Sequence, residues 1–144
     1  LNRLANEVID NHPIKPQGYL IASWYCLLKG DTEHAASFVE KALMLNPKYP
    51  ETYKVKGRQL YYQKNFESAL IAFSQANTMQ KDLHSFIGII ESNIALGKYK
   101  DAANSAREMV LLYQKSAEVY YVMGTVLAKS PQGASESIRA YNKA

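Results

Sequence analysis

A single cysteine, Cys26, stands among the 144 residues of the chain. One thiol cannot build an internal disulfide framework, and such sparing use suits a reducing compartment. Long apolar runs are missing too. None approaches the roughly 20 residues that a helix needs to cross a bilayer, and no basic-plus-apolar leader opens the chain. Charge of one sign is nowhere concentrated. The net charge is +4, lysines and arginines alternate with acids, and no run of five basic residues occurs. That scatter argues against a nucleic-acid surface.

Histidine is equally thin. His12, His34 and His84 are far apart and share no helical register with Cys26, whereas structural zinc commonly takes four converging ligands. The expectation is no metal site, with His12 in a turn and His34 and His84 exposed near helix starts. The seven glycines form no phosphate loop, because Gly97-Lys98 lacks the upstream glycine at the required spacing. Cys26 as a nucleophile would need a base and an orienting group, and its register marks it as a buried structural thiol. Acids such as Asp101 and Glu108 fall on outward faces. No catalytic constellation and no cofactor site emerges, so the chain reads as a non-enzyme.

What is present is helical periodicity. The clearest stretch runs from Pro50 to Gln80. Tyr53, Gly57 and Leu60 recur at helical spacing in its first half, and Ala69, Phe73 and Ala76 in its second. Pro50 and Glu51 suit a helix start, and Gln63-Lys64-Asn65-Phe66 makes a polar break. Gly57 and Ala69 leave room for two helix backbones to approach, with Tyr53, Leu60 and Phe73 filling the space around them. This order of aromatic, small, large, break, alanine, aromatic, alanine resembles the tetratricopeptide repeat of about 34 residues. One hairpin cannot bury its apolar face alone, so copies are expected on both sides.

They are found there. Tyr19, Ser23 and Cys26, then Ala35, Val39 and Ala42, repeat the pattern 34 residues earlier, as from Ala35 to Ala69. Gly30-Asp31-Thr32 makes the turn, with Asp31 or Thr32 as the cap. The next copy begins near Leu83 and departs most from the pattern. Phe86 and Ile89 fit, but Ile90 stands where a small residue is usual and Asn93 where a large apolar one is. Ala102 returns after 33 residues, with Ala106 for the aromatic and Met109 for the second alanine. Large and small have changed places, which predicts an altered helix angle. Tyr120, Gly124 and Leu127 open a further copy; Ser137, Tyr141 and Ala144 complete it if the Ser130-Pro131-Gln132-Gly133 turn carries one extra residue. Leu1, Leu4, Ala5, Val8 and Ile9 form one amphipathic helix before Pro13.

The expected fold is all-α, a right-handed α-α superhelix of tetratricopeptide repeats, with about nine helices. Its array is one domain over 1–144. Residues 1–13 would be the second helix of a truncated repeat, 16–49, 50–82 and 83–116 whole repeats, and 117–144 a truncated one. No capping element is visible, so the chain is expected to be part of a longer protein.

In repeats of this kind the first helix of each pair lines the concave face. The candidate partner-binding groove there comprises Leu20, Trp24, Leu27 and Leu28, then Lys54, Arg58, Tyr61 and Tyr62, and Tyr121 further along. Two readings stand open. The aromatics are anchors and the cations receive a carboxylate or acidic stretch of a partner peptide, or the aromatics pack inside the array and the cations are solvated. Trp24 is the hardest to explain without something covering it. The carboxylate clamp of chaperone-binding repeats is not matched, since Leu20 and Trp24 stand where its lysine and asparagine would be.

A narrower likeness rests on Phe86-Ile87-Gly88-Ile89-Ile90-Glu91, on Met123-Gly124-Thr125-Val126-Leu127 and on the Ser130-Pro131 turn. Ser23-Trp24-Tyr25-Cys26 and Ala42-Leu43-Met44-Leu45-Asn46 are compatible with it. Together they resemble the subunit 7 family of the anaphase-promoting complex. That resemblance implies a non-catalytic scaffold of a mitotic ubiquitin ligase, in nucleus and cytoplasm. It further implies protein partners, chiefly other repeat subunits and a second copy of itself, with no nucleic acid, membrane or small-molecule substrate. The alternatives are a monomeric peptide-binding adaptor in trafficking or chaperone work, and a regulatory array fused to an enzyme.

Overall fold

The computed structural model describes residues 15–129, and every regular element among them is a helix. There are seven: α1 (Pro16–Leu28), α2 (Thr32–Leu45), α3 (Pro50–Tyr62), α4 (Phe66–Met79), α5 (Leu83–Ala95), α6 (Tyr99–Leu112) and α7 (Ala117–Lys129). The helices expected before Pro13 and after Gly133 lie outside the described residues. The chain divides into two compact units, Leu1–Gln80 and Lys81–Ala144.

In the first unit, local chemistry sets the helix ends. Pro16 and Pro50 occupy first-turn positions, where a missing N–H costs nothing. Asp31 caps α2 by accepting the His34 N–H at 3.1 Å, and Asn65 caps α4 by accepting the Ser68 N–H at 3.4 Å. The turns inside the two hairpins are the same. The Asp31 N–H donates to the Cys26 carbonyl at 2.8 Å and the Asn65 N–H to the Leu60 carbonyl at 2.9 Å. Each turn needs one residue with positive φ. Gly30 supplies it at +79°, whereas the equivalent residue in the next hairpin is Lys64, at +63°.

The hairpins close on small residues. A Cβ placed on Gly57 would lie 2.9 Å from three carbons of the Phe73 ring, so the aromatic of α4 sits on the bare backbone of α3. Ala69 and Ala76 beside it are buried. In the first hairpin Ser23 replaces the glycine. Its hydroxyl donates to the Ala35 carbonyl at 2.9 Å, and the smaller Val39 takes the place of the aromatic. Leu20, Val39, Ala42 and Val55 form one cluster that ties α1, α2 and α3 together. Ala22, Cys26, Leu27, Ala35 and Phe38 form another within the first hairpin.

The second unit is built on one cluster of Phe86, Ile90, Ala102, Ala103, Ala106, Met109, Val119 and Val126, drawn from α5, α6 and α7. Asp82 caps α5 by accepting the Ser85 N–H at 3.0 Å. Its α5/α6 turn repeats the others, with Gly97 at φ +75° and the Lys98 N–H donating to the Asn93 carbonyl at 2.8 Å. Here the packing is inverted: Ile90 fills the place of the glycine and Ala106 that of the aromatic, both buried. The large side chain now stands on α5 and the small one on α6, the reverse of the hairpin built on Gly57 and Phe73.

A candidate protein-docking face on α1 and α3

α1 and α3 are the first helices of successive hairpins, and they touch within the first unit. Positions 34 residues apart therefore stand in equivalent places on neighbouring helices. Trp24 on α1 corresponds to Arg58 on α3, and Leu28 to Tyr62. Three of these four are exposed large apolar or aromatic side chains: Trp24 by 41%, Leu28 by 81% and Tyr62 by 52%.

Arg58 is held from behind. Its guanidinium lies 5.3 Å from the Phe73 ring centre and 5.5 Å from that of Tyr61. Tyr61 in turn stands edge-on to Phe66 at 5.1 Å and to Tyr62 at 6.4 Å. The row runs from the Gly57 hollow through Phe73, Arg58 and Tyr61 to the exposed Tyr62. Lys54, one turn before Arg58, places its Nζ 2.5 Å from a Glu51 carboxylate oxygen, and its side chain is largely covered. Neither cation is a loose solvated group. Arg58 lies over two aromatic rings, and Lys54 is held in an ion pair.

Two expected groove residues are elsewhere. Leu20 and Leu27 are each only 6% exposed and belong to the core, Leu20 with Val39, Ala42 and Val55, Leu27 with Cys26 and Phe38. They lie one position off the outward stripe, toward the second helix, and anchor α1 rather than a partner. Tyr121, 63% exposed, lies on α7 in the second unit, and its carbonyl accepts the Thr125 hydroxyl. A residue that sequence reasoning passed over is Ile21, 56% exposed, while its equivalent Val55 is 2% exposed against the preceding hairpin. The signal was available: α1 carries no charged residue along 13 positions. Its exposed stripe Gln17, Ile21, Trp24 and Leu28 has the composition of a covered surface.

The titrating groups nearby point to structure. Burial pushes the Cys26 thiol up, and the Asp31 carboxylate adds to the shift, so the thiolate is disfavoured. Asp31 is held below its ordinary value chiefly by the His34 backbone N–H it accepts, helped by the His34 ring, whose Nδ1 lies 2.6 Å from its carboxylate. His34 and His84 are exposed; His12 lies outside the described residues. Among the described residues no three His, Cys, Asp or Glu side chains are grouped to hold a metal. No helix among them is long and apolar enough to cross a membrane. What the α1/α3 face offers is contact area, one fixed guanidinium and two aromatic rings, the equipment of recognition.

Stacked two-helix units with equivalent turns, small-residue contacts and an aromatic-rich first-helix face define a helical-repeat protein of the interaction class. The family model described as the tetratricopeptide repeat protein 21 second ARM domain matches residues 32–141, and the chain belongs to that family. It is similar to anaphase-promoting complex subunit 7 of Arabidopsis thaliana, with 29% identity over 98% of this chain and 25% of that protein. The same subunit of Dictyostelium discoideum is 20% identical over 100% of this chain and 25% of its own length. The chain thus spans about a quarter of the curated relatives it matches. Among solved structures, that of the APC/C hetero-tetramer Cut9-Hcn1 superposes with a TM-score of 0.85, at 16% identity over 97% of this chain and 27% of that one. This likeness shows the fold: all-α, of tetratricopeptide-repeat hairpins.

Proposed function

We propose that the chain is a non-catalytic scaffold segment of a tetratricopeptide-repeat subunit of the anaphase-promoting complex, acting through protein contacts in mitotic ubiquitin ligation. The observation that carries this reading is the similarity to subunit 7 along 98% of the chain. Its partners are other repeat subunits and a second copy of the protein. The groove is made of Trp24, Leu28, Lys54, Arg58, Tyr61 and Tyr62, with Tyr121 as a separate contact on the second unit. Sedimentation of the full-length protein from a native lysate tests the assignment. It should travel far heavier than its own mass, in fractions with ubiquitin-ligase activity. Migration only at its own mass would contradict the scaffold role.

A second reading, a peptide-binding adaptor, is favoured by one observation: the stacked Arg58 beside exposed Trp24 and Tyr62. It differs in predicting a stable monomer that takes one short peptide.

A further inference from the structure

We propose that Met44, in the last turn of α2, is an oxidation site of this protein. A peroxide converts its thioether to the sulfoxide, which turns that edge of the first unit from apolar to polar and leaves the fold intact. The sequence carries one cysteine and four methionines, and burial sorts their sulfur atoms. The group usually first to be oxidised, the thiol of Cys26, is fully buried. Burial and the Asp31 carboxylate both work against its thiolate, the form that reacts. Met109 is fully buried as well, and Met123 is half-buried against the Phe86 cluster of the second unit. Met79 is 43% exposed, whereas Met44 is 84% exposed, the highest value among the exposed large apolar side chains. The reactive sulfur of the described residues is therefore a thioether on the surface and not the thiol.

The place of Met44 decides what the oxidation does. Its neighbour Leu43 packs against the cluster of Leu20, Val39, Ala42 and Val55, but Met44 belongs to neither buried cluster of the unit. The exposed residues ahead of it on α2, from Glu33 to Lys41, are all polar, so Met44 and Leu45 make the apolar end of that face. In the reaction the sulfur lone pair attacks one peroxide oxygen. The S–O bond forms as the O–O bond breaks, the sulfur loses two electrons to the peroxide, and the departing hydroxide takes the remaining proton and leaves as water. The sulfoxide is polar and chiral where the thioether was apolar. In a core it would disrupt packing, as at Met109. At Met44 it meets solvent, so the change is one of surface alone. Methionine sulfoxide reductases restore the thioether, which makes the mark reversible.

The test treats the isolated full-length protein with dilute hydrogen peroxide and follows each methionine and Cys26 by mass spectrometry of peptides. The Met44 peptide should gain one oxygen at least about tenfold faster than the Met109 peptide, with Met79 between them. Cys26 should stay a free thiol over the same period. Helicity and the urea midpoint should be unchanged once Met44 is fully oxidised, and a mixture of the two epimer-specific reductases should reverse the gain. Met44→Leu should abolish the fast phase without altering the other rates. In urea the methionines should react alike, which would show that the folded structure sets the order. Oxidation of Met44 no faster than that of Met109, prior oxidation of Cys26, or loss of helicity in step with the Met44 sulfoxide would overturn the proposal.

Discussion

Phe73 lies with its ring on the backbone of Gly57, and that one contact explains why the position cannot be enlarged. Gly57→Leu should overpack it and cost about 1–3 kcal/mol in urea unfolding. The second unit shows how the same place is filled when the sizes are exchanged, with Ile90 and Ala106 both buried. Gly57→Ile together with Phe73→Ala copies that arrangement. The pair should cost less than the sum of the single changes by about 1 kcal/mol or more; strict additivity would mean that the two residues do not share one space. Lys64 offers the opposite case, an L-residue at φ +63° where the other two turns have glycine. Lys64→Gly should stabilise by about 1 kcal/mol, measured as a higher urea midpoint, because the left-handed conformation is costly for any residue with a Cβ. The glycine and alanine hollows were legible in the sequence, since nothing else explains small residues at those intervals. The strain at Lys64 was not. Lysine carries no signal for positive φ, and the turn in which the Asn65 N–H returns to the Leu60 carbonyl requires it.

Helices were readable from their periods and caps, but which face of α1 turns inward was only half readable. Leu20 and Leu27 look identical in type to Leu28 and stand within one turn of the exposed stripe, so hydropathy cannot sort them. Burial is decided by α2 and α3 packing against one side, a tertiary fact. The α2 cap carries a prediction at this scale. Asp31 has its folded-state pKa depressed below an ordinary value near 3.8 by the His34 N–H and ring. A depressed carboxylate contributes stability that is fully present above its unfolded pKa and is lost as pH falls through the lower, folded value. Asp31→Asn keeps a capping oxygen but no charge. The variant should therefore be less stable than wild type near neutral pH, and the gap should close below about pH 3.8. A gap independent of pH would show that the charge plays no part. Inside the same hairpin Cys26 should react with a thiol reagent only as fast as the hairpin opens, because burial both shields it and raises its pKa. Rapid labelling of the native protein would contradict its place in the core.

For the molecule as a whole, the repeat class could be read from the chain because 34-residue spacing leaves little else, and family membership over 32–141 agrees with it. The partner could not be read in the same way: a docking face differs from a covered face only by what lies beyond it. The proposed role is contact alone, as one member of a large assembly. Affinity capture of the full-length protein under native conditions, with mass spectrometry of what is retained, addresses that claim most directly. Recovery of the other anaphase-promoting complex subunits in comparable amounts is the predicted result. Recovery of the protein by itself, from a lysate in which the assembled ligase is intact, would contradict it.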